Sequence, residues 1–132
     1  IKEPAALYNI ASRLNQIRQA IDQVLSGEMS PEAFRDFLNT THEALLEKGR
    51  ANREWLEESG YAASAPAEAE QAYAAMDLYE EGMTEIRRYL DDQNPQHLED
   101  GFNLCKDGNT KMNKAMTINR DSYEELEINF QM

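Results

Sequence analysis

Apolar residues recur along most of this chain at alternating intervals of three and four, the period of an amphipathic helix packing on a neighbour. From about Pro4 to Leu25 the seam is Leu7, Ile10, Leu14, Ile17, Ile21 and Val24. Gly27 follows and ends the segment, because glycine accepts the left-handed conformation that closes a helix. Ser30-Pro31-Glu32 then reads as a fresh start, with a serine N-cap, proline at the first helical position and an acid in the first turn.

The second segment runs to about Ser59 and carries Phe34, Leu38, Thr41, Leu45, Asn52 and Trp55 on one face. Gly60 stops it, and residues Tyr61 to Pro66 form the longest expected loop. A third helix, from about Pro66 to Asp92, repeats the seam with Ala69, Ala72, Met76, Tyr79, Met83, Ile86 and Leu90. Asn94-Pro95 starts a fourth, with Leu98, Gly101, Cys105, Gly108, Met112 and Ala115 in register. Short connections between helices of similar length force antiparallel neighbours. The expected fold is therefore all-α: an antiparallel up-down four-helix bundle spanning residues 1–121.

The last residues break the pattern. Asp121-Ser122 with Glu124-Glu125 reads as a new N-cap, so the fourth helix is expected to break near Asn119. Beyond it Leu126, Ile128, Phe130 and Met132 alternate with polar residues, which is a strand period. Residues 122–132 are thus an extension or tail: a helix end with chance alternation, the start of a further domain, or a strand that adds to a partner's sheet edge, with Leu126, Ile128 and Phe130 as candidate interaction residues.

Four glycines, Gly49, Gly82, Gly101 and Gly108, fall inside expected helices, where each costs about 0.5–1 kcal/mol relative to alanine. Counting outward from the turn at Asn94 puts Gly82 level with Lys106, Gly108 with Glu80, and Met76 with Met112. Tight backbone packing between the third and fourth helices is the first explanation. The second is a small-molecule pocket lined by Met76, Tyr79, Gly82, Met83, Gly108 and Met112, in which methionines adapt to a ligand. At the far end, Trp55 and Tyr61 form an aromatic cluster that seals the bundle or serves as an interaction hot spot.

Charge narrows the choice of partner. With 13 basic and 25 acidic residues the net charge is -12, which argues against nucleic acid and against anionic membranes. It fits a basic protein partner, with self-association as the other expectation. One cysteine leaves no internal disulfide, so a reducing, cytoplasmic setting is expected; a start at Ile1 leaves room for a removed targeting segment.

Catalytic and metal chemistry find little support. A di-iron bundle needs Glu three residues before His, yet Asn39 and Asn94 precede His42 and His97. On parallel second and fourth helices these imidazoles would differ in height by roughly 13 Å. Haem attachment through Cys-x-x-Cys-His is absent, so no cofactor is expected. Cys105 is nearly level with His42 but belongs to the glycine stripe on a diagonal helix, which makes a thiol enzyme a remote reading. Adjacent acids such as Glu57-Glu58 and Glu80-Glu81 diverge on a helix. The leading expectation is a non-enzymatic interaction or regulatory module; a small-molecule sensing or carrier bundle is second.

Overall fold

The computed structural model describes the backbone of residues 5–118 and the side chains of residues 13–115. Within these residues every element is a helix: α1 (Ala5–Ser26), α2 (Pro31–Glu58), α3 (Tyr61–Ser64), α4 (Pro66–Arg87), α5 (Tyr89–Asp92) and α6 (Pro95–Ile118). No described helix is long and apolar enough to cross a membrane.

The helix boundaries follow the punctuation in the chain. Gly27 and Gly60 adopt φ of 85° and 79°, the left-handed backbone that ends α1 and α2. Ser30 caps α2, its hydroxyl oxygen accepting the Ala33 N–H at 3.1 Å. Asn94 does the same for α6 through the Gln96 N–H at 3.0 Å.

Two details depart from the sequence reading. The loop expected over Tyr61 to Pro66 holds the single turn α3, whose Tyr61 is buried in the core. The third segment is not one helix: at Arg88 the backbone N–H bonds to Glu85 O, three residues back, and the chain tightens before continuing as α5. Gln93 then takes a left-handed φ of 56° and turns the chain into α6.

Packing follows the seams. Ile17, Ile21 and Val24 of α1, Phe34, Leu38 and Leu45 of α2, Met76, Met83 and Ile86 of α4, and Leu98, Cys105 and Met112 of α6 share one core. On α2 the buried position near the C-terminal end is Leu56, while Trp55 is only partly buried against the core. The seam angle on a long helix drifts, because 3.6 residues per turn does not match a strict seven-residue repeat. The expected tail and the break near Asn119 lie outside the described residues, as do the side chains of Leu7 and Ile10.

α4 packs most extensively on α6, and α2 lies against α4 while α1 contacts α6 and α2. The α4–α6 pair is antiparallel: Gly82 faces Gly101 and Cys105, and Gly108 faces Ala75, Leu78 and Tyr79. α2 and α4 are also antiparallel, with Arg53 bonded to Asp77 near one end and Asn39 bonded to Arg87 near the other.

Candidate functional site

Small residues bring α4 and α6 together. A methyl group placed on Gly82 would lie 2.5 Å from Cys105 Sγ and 2.7 Å from Gly101 O. One placed on Gly101 would lie 2.6 Å from Gly82 O and 2.5 Å from Ile86 Cγ1. All four distances are below van der Waals contact, so only glycine allows these backbones their separation. The register differs from that counted out on the sequence: Gly82 sits between Gly101 and Cys105 rather than level with Lys106, and Gly108 faces Ala75, Leu78 and Tyr79 rather than Glu80.

The six residues considered as a pocket lining are all buried in this seam. Met76, Tyr79, Met83 and Met112 are 5%, 4%, 0% and 1% exposed, and Gly82 and Gly108 are buried beside them. The space beside Gly82 is taken by Cys105 and the Gly101 backbone. Tyr79 Oη donates to Asn109 Oδ1 at 3.3 Å, and burial pushes its pKa well above the usual phenol value. Cys105 is wholly buried with its Sγ 3.9 Å from Tyr79 O, and burial pushes its thiol pKa up to about 12.

Trp55 and Tyr61 come together as the sequence suggests, with ring centroids 5.6 Å apart and planes tilted by 34°. Tyr61 is buried in this contact and burial raises its pKa. Leu126, Ile128 and Phe130 lie outside the described residues.

The histidines sit in different surroundings. His97 is clamped between Glu85 Oε2, 2.6 Å from Nδ1, and Asp92 Oδ2, 2.9 Å from Nε2. The hydrogen bond to Glu85, then that to Asp92, raises the His97 pKa. The two carboxylates take opposite ring nitrogens, so the trio does not converge on one point. No group of His, Cys, Asp and Glu among the described residues is placed to hold a metal ion. His42 on α2 is half-buried, and its pKa is lowered first by burial and second by Arg87.

Two surface grooves flank α4. One, of about 650 Å³, is lined by Asp77, Glu80, Glu81, Thr84, Glu85, Arg88 and Leu104. Its carboxylates are partly paired, Asp77 and Glu80 with Arg53 of α2 and Glu85 with Arg88. The other, of about 540 Å³, runs between α2 and α4 and gathers Arg35, Asn39, His42, Arg87 and Arg88. Neither groove was identified from the sequence. Its signal was there in part: Arg87 and Arg88 are adjacent, and Arg35, Asn39 and His42 recur at helical spacing. What brings the two sets together is the antiparallel register of α2 on α4.

Comparison with protein-family models, with curated proteins and with solved structures found no match to this chain.

Proposed function

We propose that this chain is an up-down antiparallel four-helix bundle acting as a non-enzymatic interaction module, which presents an acidic flank of α4 to a basic segment of another protein. The observation that carries the reading is the groove in which Asp77, Glu80, Glu81 and Glu85 line one side of α4. These residues recur at helical spacings of three and four, so their charge forms a continuous strip rather than scattered acids. Leu104 supplies an apolar floor at which a partner side chain can be desolvated. A net charge of -12 adds long-range attraction for a cationic partner and speeds encounter.

The two rival readings have less behind them. A ligand between α4 and α6 would have to displace Cys105 and the Gly101 backbone from beside Gly82. A thiol nucleophile at Cys105 would need its thiolate, yet burial pushes that pKa up to about 12.

Affinity capture with the full chain tests the proposal. Glu81→Lys, which reverses one charge in the strip, is compared with Glu57→Lys, which makes the same change in net charge on exposed α2 surface outside the groove. The expected result is a salt-sensitive protein partner lost with Glu81→Lys and retained with Glu57→Lys. Equal loss with both variants, or no partner with the unaltered chain, would overturn it.

A further inference from the structure

The link between α4 and α6 is built as a segment that can move on its own. α5 is one turn long, and none of its residues is fully buried. Its upstream end is the tightened turn at Arg88. Its downstream end is Gln93, whose left-handed φ of 56° strains a residue that carries a Cβ and persists only while its surroundings hold it. A segment with little buried surface opens locally at small cost. Three contacts hold α5 down. The Tyr89 ring meets Phe34 of α2 edge-on, with centroids 6.2 Å apart; Leu90 rests partly buried on the core; and the Asp92 carboxylate ties α5 to α6.

Asp92 makes its tie with both oxygens. Oδ1 accepts the Asn94 N–H at 2.9 Å, and Oδ2 lies 2.9 Å from His97 Nε2. The opposite ring nitrogen, Nδ1, lies 2.6 Å from Glu85 Oε2 of α4. An ionised carboxylate only accepts, so both contacts are hydrogen bonds only in the imidazolium, where each ring nitrogen carries a proton. A neutral imidazole has one N–H. It stays with Glu85, which is the shorter contact and the less exposed partner, at 19% against 54% for Asp92. The Nε2 lone pair then faces the Asp92 carboxylate. The contact that deprotonation breaks is therefore the one that reaches α5.

The surrounding charges agree with this reading. Arg88 pairs with Glu85 Oε1 at 2.9 Å, so two carboxylates, Glu85 and Asp92, against one guanidinium leave the cluster at -1, which the imidazolium brings to zero. The other acids nearby are engaged elsewhere: Glu99 pairs with Arg18 of α1, Asp100 accepts from Gln96, and Asp91 lines the groove between α2 and α4. From α2 the contact with α5 is the uncharged Phe34 ring. The hydrogen bonds to Glu85 and Asp92 raise the His97 pKa from its ordinary value near 6.5 toward physiological pH. We propose that α5 is a pH-sensitive strap, pinned to α6 while His97 is protonated and released when His97 loses its proton. The pin is complete below the ordinary imidazole value and is lost as pH rises through the folded one. Release turns Asp92 away from His97, relieves Gln93, and uncovers the apolar surface beneath Tyr89 and Leu90.

NMR of the full chain across about pH 5.5 to 8.5 tests the proposal, following the His97 ring and the hydrogen-exchange protection of Asp91 and Gln93. These two amides bond to Arg88 O at 3.0 Å and Tyr89 O at 2.7 Å and so report on α5. They should exchange far faster than core Met83, which marks a local opening. Corrected for the intrinsic pH dependence of exchange, their protection should fall about threefold through the His97 midpoint, the scale of a solvent-exposed ion pair. His97→Gln should remove the fall, and His42→Gln should leave it unchanged. Asp92→Asn should abolish or reverse it, because the amide donates to a neutral Nε2 while its oxygen still accepts the Asn94 N–H. Asp92 is exposed, so that variant keeps the test valid if His97→Gln unfolds. Protection in α5 that stays constant through the His97 midpoint, a fall that persists in His97→Gln or Asp92→Asn, or α5 amides that exchange only as slowly as Met83 would overturn the proposal.

Discussion

Replacing Gly101 by alanine adds one methyl group at the closest approach of α4 and α6. Two effects oppose each other. Alanine is the better helix former by about 1 kcal/mol, so on an open helix face the change would stabilise. Here the new carbon would sit 2.6 Å from Gly82 O, 2.5 Å from Ile86 Cγ1 and 2.8 Å from Ile86 N. The Ile86 side chain can turn aside, but the backbone oxygen and nitrogen cannot. Normal carbon–oxygen contact is about 3.3 Å, so the helices must part by roughly 0.7 Å. A gap of that size forfeits about a quarter to a half of each dispersion contact along the seam. Over some tens of contacts at about 0.1–0.2 kcal/mol each, the loss is about 2–3 kcal/mol, in the usual range for overpacking. Subtracting the propensity gain leaves a net destabilisation of about 1–2 kcal/mol. Urea unfolding followed by circular dichroism reads this as a lower midpoint at unchanged slope. Gly82→Ala should behave alike, and the double variant should cost less than the sum, because one separation of the helices relieves both clashes. A Gly101→Ala protein as stable as the parent, or more so, would refute the reasoning.

Gly49→Ala should have the opposite sign. Its methyl group would meet only side-chain ends, the Arg53 guanidinium at 3.1 Å and Glu80 Oε1 at 3.6 Å, which can shift, so most of the helix-propensity gain, about 0.5–1 kcal/mol, should appear as a raised urea midpoint. The two histidines should give pH dependences of opposite sign. His97, whose pKa is raised by Glu85 and Asp92, contributes stability that is full below its unfolded value and lost as pH rises through the folded one. His97→Gln should therefore flatten the fall in stability above about pH 6.5. His42, whose pKa is lowered by burial, contributes stability above its unfolded value that is lost as pH falls, so His42→Gln should reduce destabilisation below about pH 6.5. Either variant showing the parent pH profile would refute its assignment. Cys105, wholly buried and with its thiol pushed up to about 12, should react with a thiol reagent only as fast as the fold opens. Rapid labelling in the native state would contradict that burial.

The grooves were harder to see along the chain than the core. A buried seam repeats with the helix period, so Ile17, Leu38, Met83 and Cys105 announce themselves by spacing alone. Arg35 and Arg87 are fifty-two positions apart and carry no such period, and each alone reads as a solvated surface charge. Trp55 and Tyr61 were found because they are close in the chain and flank one helix end.

By itself, the sequence determined the long helices and most of their limits, though not the turn α3 or the division between α4 and α5. Hydrophobic period, Ser30 and Asn94 as caps, and Gly27 and Gly60 as stops all act within a few residues, where local backbone energetics decide the outcome. It also pointed to glycines on the facing sides of α4 and α6, while which glycine meets which residue was set by the packing. Only the tertiary structure decided that Tyr61 turns inward, that the chain tightens at Arg88, and which charges meet across helices. Those outcomes depend on how whole faces settle against one another. An ion pair such as Arg53–Asp77, or the Arg87–Asn39 contact that shapes the basic groove, exists only once that register has been set by the apolar core beneath it.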